Sequence, residues 1–266
     1  MKALCQMTGV SRAAFYRRPA PQSTPVEMEI RDAMQKVAVE WPAYGYRRIT
    51  AALQQQSFDV NHKRVLRMMR EDNLLCVRRR KFVVTTDSRH NLPVYPNLAG
   101  RMTPTAIDQL WVADITYIRL RVEFIYLAVV LDAFSRRVIG WALGRTLEAE
   151  LPLSALRMAL LERQPGPGLV HHSDRGVQYA SLDYTGLLKQ HQVQISMSRK
   201  GNPYDNAACE SFMKTLKYEE VYRNEYRDFQ EARACIGEFL ERVYNQTRLH
   251  SALGYLPPVE FENGAA

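Results

Sequence analysis

The chain is poor in cysteine and lacks any long apolar run. Its 266 residues include four cysteines, which show no close pairing along the sequence: Cys5, Cys76, Cys209 and Cys235. This spacing suggests neither a zinc site nor a disulfide framework. A bilayer-spanning helix needs about 18 or more consecutive apolar residues, and neither such a run nor a signal-peptide pattern is present. The sequence therefore predicts a cytoplasmic protein.

Acidic residues are scarce in the first part of the chain. Residues 1–100 carry 17 Lys and Arg against 8 Asp and Glu, whereas residues 101–266 carry 19 against 20. All the excess positive charge therefore lies in the first hundred residues. Because phosphate neutralisation supplies most non-specific nucleic-acid affinity, this distribution indicates that the N-terminal part binds DNA and that the remainder has another role. A basic composition that merely keeps the protein soluble is the alternative.

A helix-turn-helix candidate lies in the basic part. Residues 46–56 and 62–71 have helical patterns, and Asn61 is a suitable N-cap for the second helix. Apolar residues on that second helix can face a small core, while its basic residues share the opposite face for DNA contacts, or are simply solvated. These basic residues are Lys63, Arg67 and Arg70, and a further basic run follows at Arg78, Arg79, Arg80 and Lys81.

Three acidic residues dominate the second part. Asp114 lies inside the apolar strand pattern of residues 110–118, Asp174 ends another at residues 168–174, and Glu210 lies on a helical pattern from residue 206. Each has an ordinary explanation when taken alone: an Asp paired with arginine, a turn or capping Asp, and a solvated helix face with lysines. A carboxylate inside an apolar strand is costly to desolvate unless it is paired, hydrogen-bonded or bound to a cation.

Together these acids predict metal-dependent phosphoryl transfer on nucleic acid. Convergent carboxylates and substrate phosphate oxygens form a natural site for two Mg²⁺ ions, and Mn²⁺ would suit the same oxygens. Such a pair of ions activates a water or a 3′-hydroxyl and stabilises the leaving oxygen. Lys214 and Lys217 follow Glu210 on the same helix face, where they can hold a phosphate backbone.

The acids, with Lys217 seven residues after Glu210, resemble the DDE signature of transposases and retroviral integrases. Four motifs resemble the OrfB part of insertion-sequence-three family transposases, in the family's order: residues 111–118 (WVADITYI), 172–179 (HSDRGVQY), 198–207 (SRKGNPYDNA) and 244–255 (YNQTRLHSALGY). The resemblance implies a ribonuclease-H-like fold that places the first strand centrally and brings Asp114 beside Asp174. It also implies an upstream-frame segment that is often joined to this one, and residues 1–22 look like the back half of another helix-turn-helix.

The order of patterns, three strands followed by alternating helices and strands, predicts a mixed five-stranded sheet flanked by helices. The expected organisation is a partial helix-turn-helix segment (1–22), a basic helical DNA-binding domain (23–84), a linker (85–105) and a catalytic domain with a C-terminal helix (106–266).

The polar loop of residues 198–206 offers further candidate DNA contacts, at Arg199, Lys200, Asn202 and Tyr204. Arg248 and His250 are weaker candidates. For His171, His172 and Asp132 we expect structural hydrogen-bonding or turn roles.

The predicted function is a DNA transposase that uses metal ions for strand cleavage and 3′-hydroxyl strand transfer. Its partners would be element-end and target DNA, and coordinated cleavage of two ends suggests a multimer on DNA. A non-catalytic DNA-binding regulator and a ribonuclease or repair nuclease on the same fold are the alternatives. The intact acidic triad counts against the first, and the helix-turn-helix segment and four motifs count against the second.

Overall fold

The computed structural model describes residues 25–74, 92–199 and 206–265. The chain divides into two units, Met1–Val77 and Arg78–Ala266, and each is described by itself. None of the helices in these described ranges combines the length and apolar character that a bilayer span requires.

The first unit contains three helices: α1 (Pro25–Glu40), α2 (Tyr46–Gln55) and α3 (His62–Glu71). They enclose a small core of fully buried apolar side chains that includes Met34, Ile49, Leu53, Val65, Met68 and Met69. The side chain of Asn61 accepts a hydrogen bond from the Arg64 amide at 2.9 Å, so the predicted N-cap of α3 is confirmed. The helix leaves its basic face, Lys63, Arg67 and Arg70, exposed.

The second unit is built on a sheet in the order β3-β2-β1-β4-β5. Its strands are β1 (Leu110–Arg119), β2 (Phe124–Asp132), β3 (Val138–Gly144), β4 (Val170–Ser173) and β5 (Gln194–Met197). The first three pair antiparallel as a meander, whereas β4 and β5 add parallel to the β1 edge. The predicted mixed five-stranded sheet is confirmed, and β1 is its central strand.

Helices cover both faces of this sheet. On one face pack α4 (Glu150–Arg163), the short α5 (Val177–Ala180) and α6 (Leu182–Gln190). On the other pack α7 (Ala207–Leu216) and α8 (Phe229–Glu238), and π-helical segments continue them over Lys217–Val221 and Phe239–Thr247. Helix α4 approaches β3 so closely that a Cβ on Gly140 would lie 2.2 Å from the Ala155 carbonyl oxygen.

A buried ion-pair cluster fixes the last helix, α9 (Pro258–Ala265). Glu262 pairs with Arg163, and its other oxygen lies 2.8 Å from Arg137 Nη1. The pattern of the sequence did not predict α9 or the four-residue α5. Both are too short for hydrophobic periodicity to distinguish them from turns.

The segment before β1 packs against the second unit. Leu92 and Tyr95 contact the core under α4, whereas Leu98 and Met102 contact the core under α7. Between them, the amides of Leu98 and Ala99 donate to Ser196 Oγ on the edge strand β5, at 2.9 and 3.2 Å. Residues 92–102 therefore pass around the β5 edge from one face of the sheet to the other.

Candidate active site

The register of two parallel strands brings Asp114 and Asp174 together. Val112 on β1 is paired with His172 on β4, and each acid lies two residues further along its strand direction. Neighbouring strands lie about 4.8 Å apart, and side chains two residues apart point to the same face. The two carboxylates therefore start from neighbouring backbone positions at the carboxyl end of β4.

The face on which Asp114 lies is the one that α7 covers. Asp114 shares its face of β1 with Val112, which packs in the same core as Cys209, Phe212 and Leu216 of α7. Glu210 lies on this helix with its side chain exposed. Asp114 and the helix that carries Glu210 therefore lie on the same face of the sheet.

Asn206 connects the start of α7 to the strand that carries the first acid. Its side-chain amide donates to the Ala113 carbonyl at 3.1 Å, directly beside Asp114, and the residue is buried. We did not single out this role from the sequence, because an asparagine before a helix indicates a cap, and here the side chain makes no cap hydrogen bond. Asn206 is thus a structural link between the Glu210 helix and β1.

The electrostatics of Asp114 are those of a carboxylate without an adequate counter-charge. Burial raises the pKa of Asp114 to about 7, and the nearby Asp174 and, more weakly, Glu210 add to the rise. The Ile115 amide, which donates at 2.8 Å, and the Lys217 ammonium oppose it. An acid crowded by other acids in this way favours either a proton or a cation.

The third acid is nearby but not in contact. Partial burial raises the pKa of Glu210, and its charge acts on Asp114. Within residues 25–74, 92–199 and 206–265, however, no three His, Cys, Asp or Glu side chains are close enough together to hold a metal ion. The structure therefore brings two of the predicted ligands together and leaves Glu210 apart, on a helix preceded by residues 200–205, which lie outside the described ranges.

A buried hydrogen-bond relay supports the strand end that carries Asp174. Ser196 Oγ accepts the amides of Leu98 and Ala99, which occupy both of its lone pairs, so its hydroxyl donates to His172 Nδ1 at 2.8 Å. His172 is then protonated at Nε2, which donates to Ser198 Oγ at 3.0 Å. The relay joins β4 to β5 beneath the acid. The structural role expected for His172 is confirmed.

The neighbouring His171 is also structural. It is completely buried, its Nε2 lies 3.0 Å from the Tyr184 hydroxyl, and burial lowers its pKa to about 3. On the other side of the strand end, Asp174 Oδ1 accepts the Gly176 amide at 2.8 Å. This contact fixes one carboxylate oxygen of Asp174 at the turn.

Asp132 has the turn role expected from the sequence. Its Oδ1 accepts the amides of Phe134 and Ser135, both at 2.9 Å, and its Oδ2 accepts the Asp108 amide at 2.7 Å. Three amide donors already satisfy this buried carboxylate. No cation is needed to explain its burial.

Of the predicted DNA contacts in this unit, Lys217 is close enough to Asp114 for the two charges to interact. Its ammonium lies 4.8 Å from the centroid of the Tyr117 ring, and its pKa is lowered by burial and raised by Asp114. Lys214 and Arg199 are exposed. Lys63, Arg67 and Arg70 belong to the other unit, and the remaining predicted contacts lie outside the described residues: Arg78, Arg79, Arg80, Lys81, Lys200, Asn202 and Tyr204.

Two weaker DNA-contact predictions are wrong. Arg248 is 3% exposed and makes a bidentate ion pair with Glu219, with both N–O distances at 2.7 Å. His250 is buried against the Tyr244 ring at 4.7 Å between centroids. Both side chains stabilise the packing of the C-terminal segment, because their polar groups point inwards.

Comparisons with known proteins match both the helical part and the sheet-bearing part of the chain. A model of an HTH-like domain matches residues 25–82, and two models of an integrase core domain match residues 104–203 and 191–258. The chain is 36% identical over 272 residues to the transposase InsF for insertion sequence IS3A of Escherichia coli (strain K12), across 99% of this chain and 94% of that protein. The chain belongs to the IS3-family transposases.

Two further comparisons of this IS3-family transposase cover most of its length. It is 40% identical over 265 residues to the insertion element IS600 uncharacterized 31 kDa protein of Shigella sonnei, across 97% of each chain. Among solved structures, it resembles a chain of the simian T-cell lymphotropic virus intasome with a TM-score of 0.51 and 14% identity, across 86% of this chain and 74% of that one. The family and the ribonuclease-H-like fold implied by the sequence motifs are confirmed. The protein is a transposase/integrase-type polynucleotidyl transferase.

Proposed function

We propose that this transposase catalyses metal-dependent DNA strand cleavage followed by strand transfer from the freed 3′-hydroxyl. The observation that carries the proposal is the register-matched pair Asp114 and Asp174, in which each acid crowds the other and the pKa of Asp114 rises to about 7. A fold that needed these residues only for stability would have little reason to keep an under-compensated carboxyl beside a second acid.

The residues fit a hard divalent cation. Carboxylate oxygens are the ligands that Mg²⁺ prefers, and Mn²⁺ takes the same donors. Asp114, Asp174 and Glu210 would hold two such ions, with Glu210 completing the set from α7. When bound, the ions supply charge neutralisation at the phosphate and activation of the attacking oxygen.

The cationic residues would position the DNA. Lys217, beside Asp114, and the exposed Lys214 and Arg199 are suited to hold backbone phosphates near the acids. In the helical unit, the exposed basic face of α3 would contact DNA. The predicted contacts in residues 78–81 and 200–204 belong to the same proposal.

The wider setting is part of this proposal. The partners would be element-end and target DNA, bound by a multimer, together with an upstream-frame segment, in the cytoplasm. The proposed organisation is a partial helix-turn-helix segment (1–22), a basic helical DNA-binding domain (23–84), a linker (85–105) and a catalytic domain (106–266).

The test is a strand-transfer assay with labelled element-end DNA in the presence of Mg²⁺ or EDTA. Wild type is expected to form joined product with Mg²⁺ alone, whereas Asp114→Asn, Asp174→Asn and Glu210→Gln are expected to bind DNA without joining it. Asp183→Asn, which changes an exposed carboxylate on α6, is the matched control and should retain joining. Joining by any of the three active-site variants at the wild-type rate would remove that residue from the ligand set. DNA binding without joining by wild type would favour a binding-only protein or a requirement for the upstream segment.

A further inference from the structure

Four aromatic side chains lie on the surface around the end of β1 and the π-helical segment after α7. We name Tyr117, Phe124, Tyr218 and Tyr222 the aromatic strip. The rings of Tyr117 and Phe124 meet edge to face at 6.0 Å, and those of Tyr218 and Tyr222 meet in the same way at 5.6 Å. Lys217, which directly precedes Tyr218, has its ammonium 4.8 Å from the centre of the Tyr117 ring, so the two pairs are neighbours. In keeping with this, burial first and then the hydroxyls of Tyr117 and Tyr218 raise the pKa of Tyr222.

The strip is exposed and cationic. Tyr222 is 63% exposed and Phe124 is 52% exposed, and with their ring partners they form a contiguous aromatic patch, which is the kind of surface that marks a binding site. The Lys217 ammonium lies 4.8 Å from the centre of the Tyr117 ring, and the Arg119 guanidinium lies 6.0 Å from that of Phe124. Aromatic faces and positive charges therefore alternate along this surface.

The strip lies around the edge of β1 from the acidic site. Tyr117 follows Asp114 by three residues, which places the two side chains on opposite faces of β1. Lys217 links them, because its ammonium lies 4.8 Å from the centre of the Tyr117 ring and Asp114 is one of the charges that act on it. Strand β4 pairs with β1 from Leu110 as far as Val112, so β4 does not cover the edge of β1 beyond Asp114. A strand of nucleic acid whose phosphate lies at the acids would thus meet the aromatic strip next.

Unpaired nucleobases fit this chemistry better than a duplex does. Every base has a face that stacks on an aromatic ring, and neighbouring lysine or arginine side chains neutralise the phosphates between bases. In a duplex those faces are already stacked on each other. We propose that the aromatic strip binds unpaired bases of the DNA strand whose phosphate is held beside Asp114 and Asp174, an inference that rests on the proposed function.

The test measures DNA binding without catalysis. Fluorescence anisotropy in EDTA compares the full chain on an oligothymidylate of roughly 20 nucleotides with a duplex of equal length. Tyr222→Leu is expected to weaken binding to the single strand about tenfold and binding to the duplex less than about twofold, since loss of one base stack acts on unpaired DNA alone. Tyr222→Trp should restore single-strand affinity. Leu161→Ala, at a 78% exposed position on α4, is the control and should change neither.

Three results would overturn the inference. The first is single-strand affinity of Tyr222→Leu within about twofold of wild type. The second is an equal loss on single strand and duplex. The third is a change of oligomeric state in Tyr222→Leu, measured by light scattering, with single-strand affinity unchanged, which would assign the strip to contacts between protein copies.

A crosslinking experiment locates the bound strand directly. An oligothymidylate with 5-iodouracil at one position is expected to crosslink to the peptide that contains Tyr218 and Tyr222, as identified by mass spectrometry. Crosslinks confined to residues 25–74 would contradict the proposal. Joining and strand binding are measured separately, so a wild-type chain that fails to join DNA but shows the Tyr222 effect would count against the proposed function and not against the strip.

Discussion

Replacing Asp114 by asparagine should abolish DNA joining and at the same time stabilise the metal-free protein. An acid whose folded-state pKa lies above its unfolded value binds its proton more tightly when folded. Its ionisation therefore costs stability as the pH rises from 3.8 towards about 7. Asparagine has nearly the same shape and carries no charge, so it avoids this cost.

The size of the effect follows from the shift in pKa. A rise from 3.8 to about 7 corresponds to an upper bound of about 4 kcal/mol above pH 7. Asp114 is only half-buried, and solvent that reaches the ionised carboxylate reduces the cost. We therefore expect Asp114→Asn to raise the free energy of unfolding by about 1–2 kcal/mol near pH 8. The gain should shrink on acidification and vanish below the unfolded pKa.

Urea unfolding in EDTA measures this gain, with fluorescence of Trp111 and Trp141 reporting on the second unit. A Trp41→Phe background removes the signal of the helical unit. Mg²⁺ should stabilise wild type but stabilise Asp114→Asn much less, because a ligand stabilises only the state that binds it. Asp183→Asn should show neither effect. An Asp114→Asn protein less stable than wild type near pH 8 would refute the reasoning, since it would mean that the ionised carboxylate stabilises the metal-free fold.

Three further predictions concern the scaffold of the site. Gly140→Ala should destabilise the second unit by about 2 kcal/mol or more in urea unfolding, because the new Cβ would lie 2.2 Å from the Ala155 carbonyl oxygen. Arg248→Met should cost about 3–5 kcal/mol by the same measurement, because it leaves the buried Glu219 carboxylate unpaired. His171, with a pKa of about 3 in the folded state, stays neutral there while the unfolded chain takes up a proton below about pH 6.5. Wild type should therefore lose stability relative to His171→Gln as the pH falls from about 6.5 to 3. Urea unfolding of both proteins at a series of pH values measures this difference.

Matched substitutions control these measurements. Gly186→Ala, on α6 with open space around the glycine, should be neutral or stabilising. Arg157→Met removes an exposed ion pair with Glu150 and should cost no more than about 1 kcal/mol. A Gly140→Ala protein as stable as Gly186→Ala, an Arg248→Met loss no larger than that of Arg157→Met, or parallel pH profiles for wild type and His171→Gln would each contradict the corresponding prediction.

Much of the fold could be predicted because its elements are long or strongly patterned. The helix of residues 62–71 was predicted with its N-cap. The strands predicted within residues 110–118 and 168–174 are observed at Leu110–Arg119 and Val170–Ser173, since periodicity and turn residues mark their ends. The short helices α5 and α9 and the π-helical segments were not predicted. Over so few residues, the pattern of apolar side chains does not distinguish a π-helix from an α-helix, or a short helix from a turn.

Buried charge was the main source of error. Arg248 lies in a polar, basic motif that is typical of a DNA contact, yet it forms an ion pair with Glu219 from 29 residues away. Nothing in the local sequence distinguishes an arginine that faces phosphate from one that faces a distant carboxylate. For the same reason the role of Asn206 became visible only when β1 was placed beside it.

The sequence by itself determined which side chains this transposase has for chemistry and for DNA binding. Carboxylates in apolar strands, a basic first hundred residues and four ordered motifs depend only on which side chains occur and in what local pattern. The tertiary structure decided which of these groups meet. The β1–β4 register places Asp114 beside Asp174. The position of α7 leaves Glu210 close to these two acids but not close enough to share a metal ion with them. At the end of β1, aromatic side chains from three separate segments form one surface. These contacts between side chains depend on strand register and helix packing between distant parts of the chain, which local sequence pattern does not encode.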